Sequence, residues 1–203
     1  MKTATRLFSE PFTAGNTALV LVDHQTGTLA FVQDQPKDVL VGTVVGIAKA
    51  ALVLGVPVVL TSASTGFMGP TLPELTDALA GLPNLERTTL SAWDDDHVRA
   101  AIQATGRTKL TFGGIGTNVC LTQAAIPAAH AGYEAYAGID ISGTSSELMR
   151  QAAIAELTQA GVGVTTARSV ILQILRDNAA PQAQDVYTAL TPARDRLSIS
   201  LSR

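Results

Sequence analysis

The chain has 203 residues, of which 46% are hydrophobic and 15% are charged, and its formal net charge is −3. This length fits one domain with a sizeable core, and the weak charge gives no electrostatic reason to expect nucleic acid or an anionic membrane as a partner. The only cysteine, Cys120, excludes an internal disulfide and a cysteine-built zinc site.

Strand-like and helix-like segments alternate along the chain. The apolar, β-branched runs that predict strands lie at 17–23, 56–62, 85–88, 109–115, 133–139 and 162–167. The segments that predict helices lie at 37–54, 72–80, 95–105, 118–131 and 146–160. Four of these helices are followed by a glycine suited to a left-handed cap: Gly55, Gly106, Gly132 and Gly161. The alternation predicts a doubly wound α/β fold, a three-layer sandwich around a mostly parallel six-stranded sheet with Rossmann-like topology.

The pattern loosens after about residue 168. Near the end of the chain, serines alternate with three apolar residues: Leu197, Ile199 and Leu201. A period of two suits an edge strand or an arm, and a frayed terminus is the alternative. We therefore expect a single domain over residues 1–203, in which residues 181–203 are a candidate C-terminal oligomerisation arm. A surface with few charges is also compatible with a large subunit interface.

No stretch of the sequence has the length of a transmembrane helix, because the longest apolar runs are interrupted by Gly, Lys or Pro. The first residues, MKTATRLFSEPFTAG, lack the apolar run of a secretory signal. We therefore expect a cytoplasmic protein whose partners include neither a membrane nor nucleic acid.

Three residues with reactive or charged side chains follow predicted strands. Asp23 closes the first strand, Arg87 closes the third, and Cys120 follows the fourth after a glycine-rich turn. Taken singly, each has a structural interpretation: a turn former, a surface charge and a small core residue. Because ligands of open α/β sheets bind outside the carboxyl ends of the strands, their joint placement favours a catalytic group.

Four motifs in this order resemble one family. GIGTNVCL at 114–121 is similar to the nucleophile signature of the isochorismatase-like cysteine hydrolases, and LVDHQ at 21–25 is similar to their first-strand Asp motif. RTTLSAW at 87–93 resembles the K-x-x-x-S-A-F motif, and GIDISGT at 138–144 matches an element of the fifth strand. The sequence looks most like the YcaC-like branch of that family.

The resemblance implies a role for each of the three residues. Cys120 becomes the nucleophile, Asp23 the acid/base that takes its proton, and Arg87 the cation in a position where most of the family has lysine. We also expect the first turn of the helix that carries Cys120 to stabilise its thiolate, with the Arg87 charge offsetting the two neighbouring negative charges.

The resemblance further implies a non-proline cis peptide at Ile115–Gly116. With that peptide turned, its N–H and that of Cys120 form an oxyanion hole. The glycines at 113, 114 and 116 are interpreted as letting the backbone fold tightly just before the nucleophile.

Four further residues are candidates for the substrate pocket: Gln25, Phe67, Trp93 and Asn118. The two aromatic residues equally suit packing against the fold, and Asn118 equally suits a helix cap, which is the favoured interpretation. We expect no metal and no cofactor, because the stretch at 61–70, where related nicotinamidases bind metal, has neither histidine nor carboxylate.

These observations predict a metal-free cysteine hydrolase that cleaves a small amide or a related C–N bond through a thioester. A thiol redox protein and a catalytically silent binding protein on the same scaffold are the alternatives. The expected partners are a small-molecule substrate and further copies of the chain, since the resemblance implies a tetramer or an octamer. Pro127, inside the predicted helix that follows Cys120, should kink it.

Overall fold

A computed structural model of the chain describes residues 10–191. It contains six strands: β1 Thr17–Val22, β2 Val58–Ala63, β3 Asn84–Arg87, β4 Lys109–Gly114, β5 Glu134–Gly138 and β6 Gly163–Thr165. They form one sheet in the order β3-β2-β1-β4-β5-β6, and every neighbouring pair is parallel. The predicted doubly wound α/β fold is confirmed, and the strand order reverses between β1 and β4, where such sheets bind ligands.

Nine α-helices connect and cover the strands within the described residues. They are α1 Thr26–Ala30, α2 Lys37–Val53, α3 Thr65–Met68, α4 Pro73–Ala78, α5 Asp96–Ala104, α6 Thr122–His130, α7 Glu147–Gln159, α8 Ala167–Leu175 and α9 Ala183–Leu190. The N-cap side chains of α5, α7 and α8 accept hydrogen bonds from the first turn. All four predicted cap glycines have positive φ, from +65° to +100°.

The sheet separates two apolar clusters. Leu19 and Leu21 of β1 face α2, α4, α8 and α9, whereas Val20 and Val22 on the other side face α5, α6 and α7. Because both faces are covered, every residue of β1 is buried, which accounts for its uninterrupted apolar run.

The C-terminal part of the described chain is more regular than its sequence pattern suggested. Residues after 166 form α8 and α9, and α9 packs on α2 so closely that a Cβ at Gly46 would lie 2.6 Å from the Ala189 carbonyl oxygen. The first part of the expected arm is therefore a helix in the core of its own chain. The alternating residues of 192–203 lie outside the residues that the structure describes.

No helix within residues 10–191 is long and apolar enough to cross a membrane. The cytoplasmic location stays a prediction.

Candidate active site

Asp23 lies at the carboxyl end of β1, at the point where the sheet order reverses. Its backbone has a φ of +58°, which turns the chain sharply after the strand. The side chain is 2% exposed, and its Oδ1 accepts a hydrogen bond of 2.7 Å from the Ala63 N–H at the end of β2. The acid is therefore held in a fixed orientation by the neighbouring strand.

Arg87 lies at the end of β3 and reaches across β2 to Asp23. Its guanidinium makes two parallel bonds, Nη1 to Oδ1 at 2.6 Å and Nη2 to Oδ2 at 2.8 Å, and Nη2 also donates to the Leu90 carbonyl at 3.2 Å. The arginine side chain is fully buried. The direct partner of the cation is thus the carboxylate, through the bidentate geometry that only arginine supplies.

Cys120 completes the group from the other side of β1. It lies in a π-helical turn, Thr117–Leu121, that connects β4 to α6. The Asp23 carboxylate and the Gly116 backbone lie close enough to the thiol to shift its pKa in opposite directions. The structure therefore brings Asp23, Arg87 and Cys120 together at the carboxyl edge of the sheet.

The electrostatics of Cys120 differ from the sequence expectation. Burial raises the pKa of the thiol to about 12, and the nearby Asp23 carboxylate acts in the same direction. The Gly116 backbone and the Arg87 charge lower this pKa by less. The expectation of a resting thiolate is wrong, because the thiol is desolvated and the nearby cation is already paired with Asp23.

The peptide bond Ile115–Gly116 is cis, at the position that the resemblance implies. The Gly116 carbonyl accepts hydrogen bonds from the N–H groups of Val119 and Leu121, which closes the turn around Cys120. The explanation of the glycines needs correction, since Gly113 is part of β4 and has no positive φ. It is required there because a Cβ would lie 2.5 Å from the Ile141 side chain.

Two of the expected pocket residues, Gln25 and Asn118, hold neighbouring segments together through hydrogen bonds. Gln25 is fully buried, donates to the carbonyls of Ala63 and Gly69 at 3.1 and 2.6 Å, and accepts from the Ala63 N–H at 3.0 Å. Asn118 does not cap a helix; its Oδ1 accepts a 2.6 Å bond from the Thr144 hydroxyl.

The two aromatic candidates lie in different surroundings. Trp93, in the 3-10 turn Ala92–Asp94, packs edge-on against Tyr133, which follows α6, with ring centroids 5.7 Å apart, and both side chains pack against the apolar cluster on that face of the sheet. Phe67 is 82% exposed on α3, which directly follows β2 at the carboxyl edge.

A polar network behind the nucleophile was not anticipated from the sequence. The Asp34 carboxylate is buried, accepts from the Thr144 N–H at 2.8 Å and pairs with Arg150 at 3.0 Å. Through the Thr144 hydroxyl this network reaches Asn118, two residues before Cys120. The GIDISGT motif contains Thr144 and was the available signal, but nothing in the sequence pairs it with Asp34.

His24, next to Asp23, is fully buried and its Nε2 contacts the Ile141 carbonyl at 2.9 Å. Its Nδ1 has no hydrogen-bond partner. Burial lowers the pKa of His24 to about 4, so the ring is neutral near pH 7, and Nε2 must then carry the proton that it donates. Within residues 10–191, no three His, Cys, Asp or Glu side chains form a group that could hold a metal ion.

The family model of the isochorismatase domain matches residues 17–169, which include all six strands and the three site residues. The chain belongs to the isochorismatase family. It is thereby a hydrolase of that family, and its fold matches solved members. The resemblance inferred from the four motifs is confirmed.

Relatives with YcaC in their name are similar over most of the chain. The "Probable hydrolase YcaC" of Escherichia coli is 34% identical over 162 residues, 79% of this chain and 78% of that protein. The structure of Pseudomonas aeruginosa YcaC with hexane-2,5-diol and covalent acrylamide has a TM-score of 0.86 at 29% identity, covering 93% of this chain and 96% of that one. The E. coli YcaC structure, described as an octameric hydrolase of unknown specificity, has a TM-score of 0.85 at 29% identity, covering 92% of this chain and 94% of that one.

Proposed function

We propose that this chain is a metal-independent cysteine hydrolase that cleaves a small amide or a related C–N bond through a thioester. The observation that carries the proposal is the contact between the Cys120 thiol and the Asp23 carboxylate, which Arg87 holds in a bidentate pair. A thiol nucleophile and an adjacent base are the two groups that this reaction requires. Both are supplied by side chains, so no metal is needed to activate water.

The first half of the reaction acylates the cysteine. The Cys120 sulfur attacks the carbonyl carbon of the amide while its proton passes to Asp23. The oxygen of the tetrahedral intermediate accepts hydrogen bonds from the backbone N–H groups of Gly116 and Cys120. Asp23 then returns the proton to the leaving nitrogen, the C–N bond breaks, and a thioester remains.

The second half releases the acid. Asp23 accepts a proton from a water molecule, whose oxygen attacks the thioester carbon. When the C–S bond breaks, the sulfur takes the proton back and the free thiol is restored. The oxyanion donors serve both halves, and the closeness of the Gly116 backbone to the thiol supports their placement beside the reacting atoms.

The raised pKa of Cys120 explains why the base must act during the attack. A thiol with a pKa of about 12 is almost entirely protonated at neutral pH, so the sulfur becomes nucleophilic only as its proton moves to Asp23. The same property argues against the redox alternative, because peroxide reacts with thiolates and a buried neutral thiol is a poor target.

We also propose that the chain forms a homo-oligomer, a tetramer or an octamer, whose interface covers large exposed apolar side chains. Four such side chains have exposed fractions of 64% to 82%: Phe31, Phe67, Leu90 and Leu148. Exposed apolar surface of this kind is typical of subunit interfaces. The E. coli YcaC structure is described as octameric, which supports the proposal.

Light scattering tests the assembly. The double variant Phe67→Asp, Leu90→Asp should lower the mass of the particle, whereas Leu52→Asp, on α2 and 44% exposed, should leave it unchanged. A full-length chain that runs as a monomer contradicts the proposal.

Ammonia release from a panel of small amides, with and without EDTA, tests the reaction. We expect turnover that EDTA does not change, and a loss of about 1,000-fold or more in Cys120→Ala, with the free energy of unfolding within about 1–2 kcal/mol of the wild type. Intact mass of an arrested reaction should show one acyl group, which the only cysteine assigns to Cys120. Wild-type turnover by Cys120→Ala would disprove the nucleophile.

A further inference from the structure

Pro127 lies inside α6, the helix that continues from the nucleophile turn. A proline has no N–H, so it cannot donate to the carbonyl of the residue four positions earlier, which is Gln123. Helix interiors avoid proline for this reason. The Gln123 carbonyl, three residues after Cys120, is therefore available to a donor from outside the helix.

That donor is Ser91. Its hydroxyl, on a residue that is 7% exposed, donates to the Gln123 carbonyl at 2.8 Å. The same oxygen accepts a bond of 3.1 Å from the Trp93 N–H and so caps the short 3-10 turn Ala92–Asp94. Ser91 is thus fixed by its own segment as well as by α6.

The bond joins the two segments that carry the site. On one side, Ser91 follows Arg87 by four residues, and the intervening Leu90 carbonyl accepts from the arginine Nη2. On the other side, the Gln123 carbonyl belongs to the first turn of α6, directly after the π-helical turn of Cys120. One hydrogen bond therefore sets the position of the nucleophile segment relative to the Arg87 segment and, through it, to Asp23.

We propose that Ser91 is a positioning residue for the Cys120–Asp23 contact, and that Pro127 makes this possible by leaving the Gln123 carbonyl for the Ser91 hydroxyl. The inference rests on the proposed function in taking Cys120 as the nucleophile. In this arrangement the proline is part of the site's support, since a residue with an N–H at position 127 would compete for the same carbonyl. A misplacement of about 1 Å in such a contact can lower the rate of reaction by about 100-fold.

The test compares four variants of the full chain: Ser91→Ala, Ser91→Thr, Pro127→Ala and the double variant Ser91→Ala, Pro127→Ala. Three quantities are measured for each: the melting temperature, the pH profile of Cys120 alkylation by iodoacetamide, and ammonia release from the amide panel. The alkylation profile reports the contact with Asp23, because that carboxylate raises the pKa of the thiol.

We expect Ser91→Ala to melt earlier, to shift the alkylation profile to lower pH, and to lose about tenfold or more in amide turnover. Ser91→Thr keeps the hydroxyl and should stay close to the wild type, and Pro127→Ala should fall between them. In the double variant the restored N–H satisfies the carbonyl within α6, so the melting temperature should recover. Its alkylation profile and turnover should remain those of Ser91→Ala, because the link between the segments is still missing.

A purely structural role predicts the opposite result for the double variant. If its profile and turnover return to wild-type values along with its melting temperature, the positioning role is disproved. An unchanged alkylation profile in Ser91→Ala disproves it as well, even if turnover shows that the proposed function is correct. A shifted profile in a chain that releases no ammonia from any amide would support the positioning and contradict the proposed function.

Discussion

Two buried pairs of opposite charge lie at opposite edges of the same sheet. Arg87 and Asp23 meet at the carboxyl edge, where β3 and β1 end, and both side chains are almost completely inaccessible. Lys109 and Glu134 meet at the amino edge, where β4 and β5 begin; the lysine side chain is 1% exposed and the glutamate 23%. Burial of a charge pair alone therefore does not distinguish the candidate active site.

The neighbours of the two pairs differ. The Lys109 ammonium lies 5.7 Å and 5.8 Å from the ring centres of Phe12 and Tyr136, and the Tyr136 hydroxyl donates to the Glu134 carboxylate at 3.4 Å. Asp23 has the Cys120 thiol beside it, in addition to its arginine. The pair at the amino edge can only stabilise the fold. At the carboxyl edge, Asp23 can also accept the proton of the Cys120 thiol.

The largest difference between the pairs should appear when each carboxylate is replaced by its amide. We expect Asp23→Asn to lose about 1,000-fold or more in ammonia release, since the base is gone, and about 3–5 kcal/mol of unfolding free energy, since Arg87 stays buried without a counter-charge. Glu134→Gln should keep turnover within about twofold and lose about 1–2 kcal/mol, because the glutamate is partly exposed and two rings still face the lysine. Urea unfolding measures the free energies.

The control in that experiment is the ratio of the two effects. If Glu134→Gln lost as much turnover as Asp23→Asn, the activity would be following the stability of the fold. The two edges would then be equivalent, and Asp23 would no longer be the base.

The second difference is the state of the thiol beside Asp23. A pKa of about 12 predicts that the alkylation rate of native Cys120 keeps rising about tenfold per pH unit through pH 10, where an ordinary thiol has levelled off. At pH 8 the native chain should react about 1,000-fold more slowly than the same chain unfolded in urea. A native profile that levels off near pH 8.5 would show that burial and Asp23 do not suppress ionisation.

The fold was largely predictable from the sequence because it depends on burial patterns. Strands covered on both faces need continuous apolar residues, as β1 shows, and the left-handed caps need glycine, as Gly55 and Gly161 show. The helices α8 and α9 were missed because no strand comes after β6 within residues 10–191, so the alternation of strands and helices ends before them.

The site was predictable only as a set of residue types at strand ends. The bidentate pairing depends on the left-handed backbone of Asp23, and the sequence does not specify a positive φ for an aspartate. The raised pKa of the thiol depends on how closely Cys120 is enclosed, which pattern analysis does not reveal. Helix position alone suggested the opposite shift, and the desolvation of the thiol is the larger effect.

The third difference between the two edges is how the unfolding free energy responds to low pH. The folded chain keeps His24 neutral down to about pH 4, whereas the unfolded chain protonates it near pH 6.5, so the unfolding free energy should fall as the pH drops between these values. The loss should reach about 3 kcal/mol, calculated at about 1.4 kcal/mol per pH unit. Urea midpoints at a series of pH values measure it.

The variant His24→Gln keeps an N–H that can reach the Ile141 carbonyl and should lack this part of the acid loss. Glu134→Gln, at the amino edge, should retain it. An identical acid response in the wild type and His24→Gln would mean that the carboxyl edge does not contain the acid-sensitive group.

The smallest expected effect is the exchange of the two cations. Arg87→Lys keeps the charge and introduces the residue that most of the family has there, but an ammonium cannot make two parallel bonds to Asp23 while also reaching the Leu90 carbonyl. We expect about tenfold lower ammonia release and a loss of about 1–2 kcal/mol in unfolding free energy. Arg87→Gln, which removes the charge, should lose about 3–5 kcal/mol, as Asp23 is then the unpaired group.

The matched exchange at the amino edge is Lys109→Arg. A planar guanidinium is larger than an ammonium and must fit beside the rings of Phe12 and Tyr136, which pack on each other, so about 1–2 kcal/mol of stability should be lost through overpacking. Turnover should stay within about twofold, because no reacting group touches this pair. The two exchanges should thus lower the unfolding free energy by similar amounts, but only Arg87→Lys should lower turnover. The reason is that the orientation of the Asp23 carboxylate determines whether it can take the thiol proton, and no such proton transfer occurs at the amino edge. Equal turnover in Arg87→Lys and Lys109→Arg would show that the bidentate bonds of Arg87 have no part in orienting Asp23.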